Sequence, residues 1–114
     1  MARFVTVEDA EGLERTFEQA KEGHAVLFLH DPWCPISTMA YEEMERVDAE
    51  VHVVDVSEQR TLSKDVQART GIRHESPQVF VMAGGAVQWH ASHGRIRKDA
   101  VGDAIQQAQP SPGG

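Results

Sequence analysis

This 114-residue sequence predicts an α/β fold in which a mixed central sheet is flanked by helices, in the order βαβαβαββα with a short first strand. Three observations carry that expectation: strand-length apolar runs at 25–30 and 51–56, stretches of helical periodicity that alternate with them, and two strand-like segments split by a glycine pair near residue 84. Thr6, Val7, Glu8 and Asp9 resemble a capping box, after which Ala10, Leu13, Phe17 and Ala20 recur at helical spacing until Gly23 stops the helix. The run from Ala25 to His30 is short and rich in strand formers, which suits a strand buried on both faces, and it ends at Asp31 and Pro32. A second helix is expected from Pro35 to about Val47, with Ile36, Met39, Ala40, Met44 and Val47 inward and Glu42, Glu43 and Glu45 outward. Residues 51–56 read as another buried strand and 57–70 as a helix capped by Gly71. The βαβαβ order implies parallel pairing. Residues 78–82 and 86–91, joined through Gly84 and Gly85, then read as an antiparallel hairpin, and a last helix over 97–108 turns Val101, Ala104, Ile105 and Ala108 inward. One domain over 1–109 is expected, with a disordered tail at 110–114 where Pro and Gly dominate.

Composition removes several classes of function. A formal charge of −7, spread along the chain, disfavours binding to phosphate backbones, so no nucleic acid is expected. The first nine residues hold no apolar signal core, and the longest apolar run, Ala25 to Leu29, is far short of a bilayer span; no membrane is expected, and the localisation expected is cytoplasmic. A single cysteine cannot close an internal disulfide, so any disulfide made by Cys34 is intermolecular.

The chemistry concentrates at Trp33-Cys34-Pro35-Ile36-Ser37. A thiol placed between a buried strand and a helix start meets unpaired N–H groups and the positive end of the helix dipole, a setting that favours thiolate. Pro35 suits the first helical position, where its missing N–H would be unpaired anyway. Ser37, one turn on, is within reach to donate its hydroxyl proton to the sulfur, but it cannot resolve a disulfide. A lone cytosolic cysteine is more often a small buried hydrophobe; the flanking Trp and Pro after a buried strand argue for a reactive one. Ser76 and Pro77 open a strand, where a residue lacking an N–H belongs. Six histidines invite a metal reading, His90 and His93 being three apart, but they lie on an extended segment with no carboxylate or second thiol to complete a ligand set, so no metal is expected. The Gly84–Gly85 pair is read as a turn and not as a phosphate cradle, since no helix with Lys and Ser or Thr follows it.

At Cys34-Pro35-Ile36-Ser37, His74-Glu75-Ser76-Pro77-Gln78 and Trp89-His90-Ala91-Ser92-His93, with a weaker match at residues 59–63, the sequence resembles the monothiol bacilliredoxins of the bacillithiol system, the YtxJ-like family, over nearly its whole length. It departs from the family at Trp33, where Thr is usual, and at Gly94, where a bulkier residue is common. The resemblance implies a thioredoxin-like fold, a cis peptide before Pro77 beside the thiol, and removal of bacillithiol from mixed disulfides on oxidised proteins. It implies no bound cofactor; bacillithiol is the co-substrate, bacillithiolated client proteins are the partners, and a second thiol or a flavin-dependent reductase regenerates Cys34. Bacillithiol carries a malate with two carboxylates, so Arg73, His74, His93 and the backbone near Ser76, with the start of the second helix, are the expected donors, and Trp33 and Pro35 the expected walls. Arg73 and His74 read equally well as solvated loop residues. Two other functions compete: a binding module that holds a client or an iron-sulfur cluster through Cys34 without turnover, which Pro35 disfavours because cluster-binding relatives prefer Gly there, and a thiol peroxidase, for which no Arg beside the thiol stands out.

Overall fold

The computed structural model describes residues 1–108; the tail expected at 110–114 and the end of the domain expected at 109 lie outside the described residues. Five strands and four α-helices alternate: β1 (Arg3–Thr6), α1 (Ala10–Glu22), β2 (His24–His30), α2 (Pro35–Glu45), β3 (Glu50–Asp55), α3 (Arg60–Thr70), β4 (Gln78–Ala83), β5 (Ala86–Ser92) and, after a 3₁₀ turn at His93–Arg95, α4 (Lys98–Ala108). The strands form one sheet in the order β1-β3-β2-β4-β5. The β1–β3 and β3–β2 pairs are parallel, whereas β2–β4 and β4–β5 are antiparallel, so the sheet is mixed as expected. Gly84 and Gly85 both take positive φ, 61° and 81°, the backbone that a tight hairpin needs and that other residues resist.

The apolar side chains divide by strand alternation between the two faces of the sheet. On one face Leu27, Leu29, Phe80 and Met82 pack with Leu13 and Ala20 of α1 and Leu62 and Val66 of α3. On the other, Val26, Phe28, Val51 and Val79 meet Ala40 and Met44 of α2 and Val101 of α4. Strand β2 is therefore buried on both sides along Ala25–Leu29, which is why its sequence is a continuous apolar run rather than an alternating one. Among the described residues no helix is long and apolar enough to cross a membrane.

Three local expectations are corrected. Thr6 does not cap α1: it belongs to β1, and the Asp9 carboxylate accepts the Gly12 N–H at 2.8 Å as the true N-cap. Helix α3 starts at Arg60, not at residue 57, because the Asp55 carboxylate ties down both the N–H and the hydroxyl of Ser57 in a local turn. Helix α2 ends at Glu45 and buries Ser37, Ala40 and Met44, leaving Ile36 and Met39 49% and 66% exposed. Ala40, Met44 and Val47 are buried as expected, and the buried face opens at Ser37 rather than Ile36 because that serine has hydrogen-bond partners at the end of β2.

Candidate active site

Strand β2 delivers the chain to the C-terminal edge of the parallel strands, where open α/β sheets place their ligands. The four residues from Asp31 to Cys34 then turn it into α2: the Asp31 carboxylate accepts the Trp33 N–H at 3.0 Å, and the Asp31 carbonyl accepts the Cys34 N–H at 3.1 Å. Cys34 is the N-cap of α2, with extended backbone and no side-chain cap bond, and Pro35 stands at the first helical position as its chemistry favours. The thiol is free and half-buried, at the end of the helix where N–H groups lack intrahelical acceptors. Around it lie exposed apolar side chains: Trp33 at 84%, with Ile36 and Met39.

Ser37 does not serve the sulfur in the way its spacing suggests. It is fully buried, its Oγ accepts the Asp31 N–H at 2.9 Å and lies 2.7 Å from Nδ1 of His30, and the structure shows no bond from it to Cys34. One turn past the thiol, the helix has rotated this side chain toward the sheet. It locks the Asp31–Cys34 turn to the end of β2. Burial pushes the His30 imidazole below its ordinary pKa, against the opposing pull of Asp55 and Asp31, so a neutral ring shares the contact. The ring also stacks near Phe28 and Tyr41, with centroids 5.3 and 4.9 Å away. Sequence reasoning missed His30; a lone polar residue closing an apolar strand just before the cysteine loop was the available signal.

The Ser76–Pro77 peptide is cis, as the family resemblance implies. Strand β4 begins immediately after it, with Gln78 registered opposite Leu29, so Pro77 falls level with His30, one step from the cysteine loop. Gln78 anchors this corner through its own side chain: Oε1 accepts the Glu75 N–H at 2.9 Å and Nε2 donates to the Arg73 carbonyl at 3.1 Å. On the far side, the His93 N–H donates to the Pro77 carbonyl at 3.1 Å, and His93 takes a positive φ of 54°.

The expected ligand residues do not share one place. His93 lines a groove with Ile36, Met39 and Gly94 beside α2. His74 and Ser76 line a different cavity, toward α3. Arg73 is exposed, and its charge, with those of His93 and Arg95, helps hold the Glu75 carboxyl below its usual range, the first cause being a hydrogen bond from Ser92. The His74 N–H and Nδ1 both lie 2.8 Å from Oε1 of Gln67; since a backbone N–H only donates, that atom is the amide oxygen and Nδ1 carries the proton. The buried His52 is a satisfied core residue between Thr16 and Glu50, at 3.1 and 2.9 Å. Among the described residues no three His, Cys, Asp or Glu side chains gather as a metal-binding group.

A cysteine at a helix start, an adjoining cis-proline corner and an apolar rim define a thiol-redox protein of the thioredoxin fold. Solved structures agree on the fold. One thioredoxin-fold protein, provisionally assigned as an oxidoreductase, superposes with a TM-score of 0.78 at 28% identity over 89% of this chain and 92% of its own. A single-site mutant of thioredoxin from Halobacterium salinarum gives 0.71 at 21%, covering 96% and 93%, and thioredoxin of Fasciola hepatica 0.68 at 16%, covering 91% and 98%. The family model for monothiol bacilliredoxin BrxC matches residues 5–101, and the chain belongs to that family.

Proposed function

We propose that this protein removes bacillithiol from mixed disulfides on oxidised proteins. The observation that carries the reading is that the one thiol, Cys34, is half-buried at the N-cap of α2 in a chain of the monothiol bacilliredoxin family. The Cys34 thiolate attacks the bacillithiol sulfur of the mixed disulfide; a new S–S bond forms on Cys34, the old one breaks, and the client leaves as its thiolate. A second thiolate, from free bacillithiol or from a reductase, then attacks that adduct and returns Cys34 to its reduced state. No internal cysteine competes for the second step, so the adduct persists until an outside thiol arrives.

The neighbouring residues support the roles given to them. Trp33, Ile36 and Met39 offer a client an apolar surface beside the sulfur. Ser37 with His30 fixes the loop that carries the thiol, and Pro35 lets the helix begin directly after it. Free thiols endure in a reducing compartment, which favours the cytoplasm.

Intact-mass measurement after incubating the reduced protein with oxidised bacillithiol, and separately with oxidised glutathione, tests the assignment. A single adduct at Cys34 with the first and none with the second is the expected result; an unmodified protein in both, or equal modification by both, contradicts the bacillithiol assignment.

A further inference from the structure

Beyond the cysteine loop, a cavity of about 430 Å³ opens between the start of α3 and the cis-proline corner, lined by Val56, Arg60, Ser63, Lys64, His74, Glu75 and Ser76. It lies at the same edge of the sheet as the thiol: the Val56 N–H donates to the His30 carbonyl at 2.9 Å, and Pro77, next to Ser76, falls level with the same histidine. Arg60 and Lys64 stand one helical turn apart on α3, both exposed, and neither takes part in an ion pair among the described residues. Such placement of two uncompensated cations is notable in a chain of net charge −7. The carboxylate on the rim, Glu75, is engaged by Ser92 and by the charges of His93, Arg73 and Arg95, none of which lines the cavity. With Nδ1 held by Gln67, the ring of His74 keeps Nε2 as the atom available to a ligand. The Ser76 hydroxyl is buried and, among the described residues, has no hydrogen-bond partner, a cost that a structure rarely carries without a ligand or water to relieve it.

We infer that this cavity is the subsite for the anionic end of the small thiol: Arg60 and Lys64 receive a dicarboxylate while Ser76 supplies a hydroxyl hydrogen bond. The inference rests on the function proposed above and deepens it by relocating recognition of the bacillithiol malate from Arg73 and His93 to the first turns of α3. Two cations one turn apart match two carboxylates on adjacent carbons, and each charge-assisted contact is stronger than a neutral one. A neutral or cationic small disulfide gains nothing from this corner, so the cavity acts as a filter for anionic thiols.

The test separates the subsite from the redox reading. First, the reduced full-length protein is titrated with malate alone at constant ionic strength and followed by amide chemical shifts. The expected shifts centre on residues 60–64 and 74–76, and the R60Q/K64Q double variant binds malate about tenfold more weakly. Shifts centred elsewhere, or equal affinity in the variant, overturn the subsite whatever the thiol does. Second, rates of adduct formation at Cys34 are compared for oxidised bacillithiol and for the neutral bis(2-hydroxyethyl) disulfide. The preference for the anionic disulfide falls about tenfold in R60Q/K64Q if the subsite operates, and an undiminished preference overturns it. Malate binding at the cavity combined with a Cys34 inert to oxidised bacillithiol is the distinct signature of a failed redox assignment.

Discussion

Replacing Cys34 with Ala is expected to abolish thiol–disulfide exchange and to leave the domain folded. The first half follows from counting: no other thiol exists in the chain, so no residual route through a neighbouring cysteine is available. The second follows from the position. The Cys34 side chain makes no cap bond, and the loop around it is held by main-chain groups, Asp31 and the Ser37–His30 contact, which the substitution leaves in place: the Asp31 carbonyl still accepts the residue-34 N–H, and the residue-34 carbonyl still accepts the Thr38 N–H at 3.0 Å. The unfolding free energy is expected to move by less than about 1 kcal/mol, as for surface changes that break no named interaction. Exchange assayed with a small-molecule mixed disulfide, alongside urea unfolding, checks both halves. Measurable turnover by the variant would remove Cys34 from the mechanism.

Phe28→Ala is the most damaging single core change expected near the site. Phe28 is fully buried at the middle of β2, packs among Val26, Ala40, Met44, Val51 and Val79, and has Tyr41 and His30 within ring-contact range, at 6.3 and 5.3 Å. Truncation removes a large apolar surface and leaves a cavity between the sheet and α2, a loss of about 3–5 kcal/mol. Against a total of about 5–15 kcal/mol for a domain of this kind, that is a large fraction of the stability. The urea midpoint reports it directly; a loss below about 1 kcal/mol would show that the α2 face of the sheet repacks freely, contrary to the tight seating of this ring. The same change loosens the shelf on which His30 holds Ser37, so exchange should slow even under conditions where the variant remains folded.

The features legible in the sequence are those set by local periodicity and by single-residue chemistry. A doubly buried β2 shows as an unbroken apolar run, the hairpin as two adjacent glycines, the end of α3 as Gly71 in the left-handed region with φ 72°, and the reactive corner as Cys34 followed by Pro35. Periodicity placed Ala40, Met44 and Val47 of the α2 segment inward, where they are buried; what it could not show is which edge of that apolar stripe turns to solvent. That choice rests on long-range partners, the contacts of Ser37 with Asp31 and His30, and it reverses the expected burial of Ile36 and Met39. Which of the donors expected for the small thiol share one cavity is non-local for a similar reason. Arg73, His74 and Ser76 are neighbours along the chain, yet the fold separates Arg73 from the cavity and brings in Arg60 and Lys64 from the start of the preceding helix. The strand order β1-β3-β2-β4-β5 and the assignment of α1 and α3 to one face belong to the same class of non-local information.

Direct transfer is the decisive measurement. The reduced protein is mixed in equal amounts with a client protein bearing bacillithiol on one cysteine, and the intact masses of both are followed without any added reductant. The expected result is that the client loses one bacillithiol as this protein gains one at Cys34, in step and to similar extents. A client that keeps its modification, or one that is released while Cys34 stays unmodified, would contradict it.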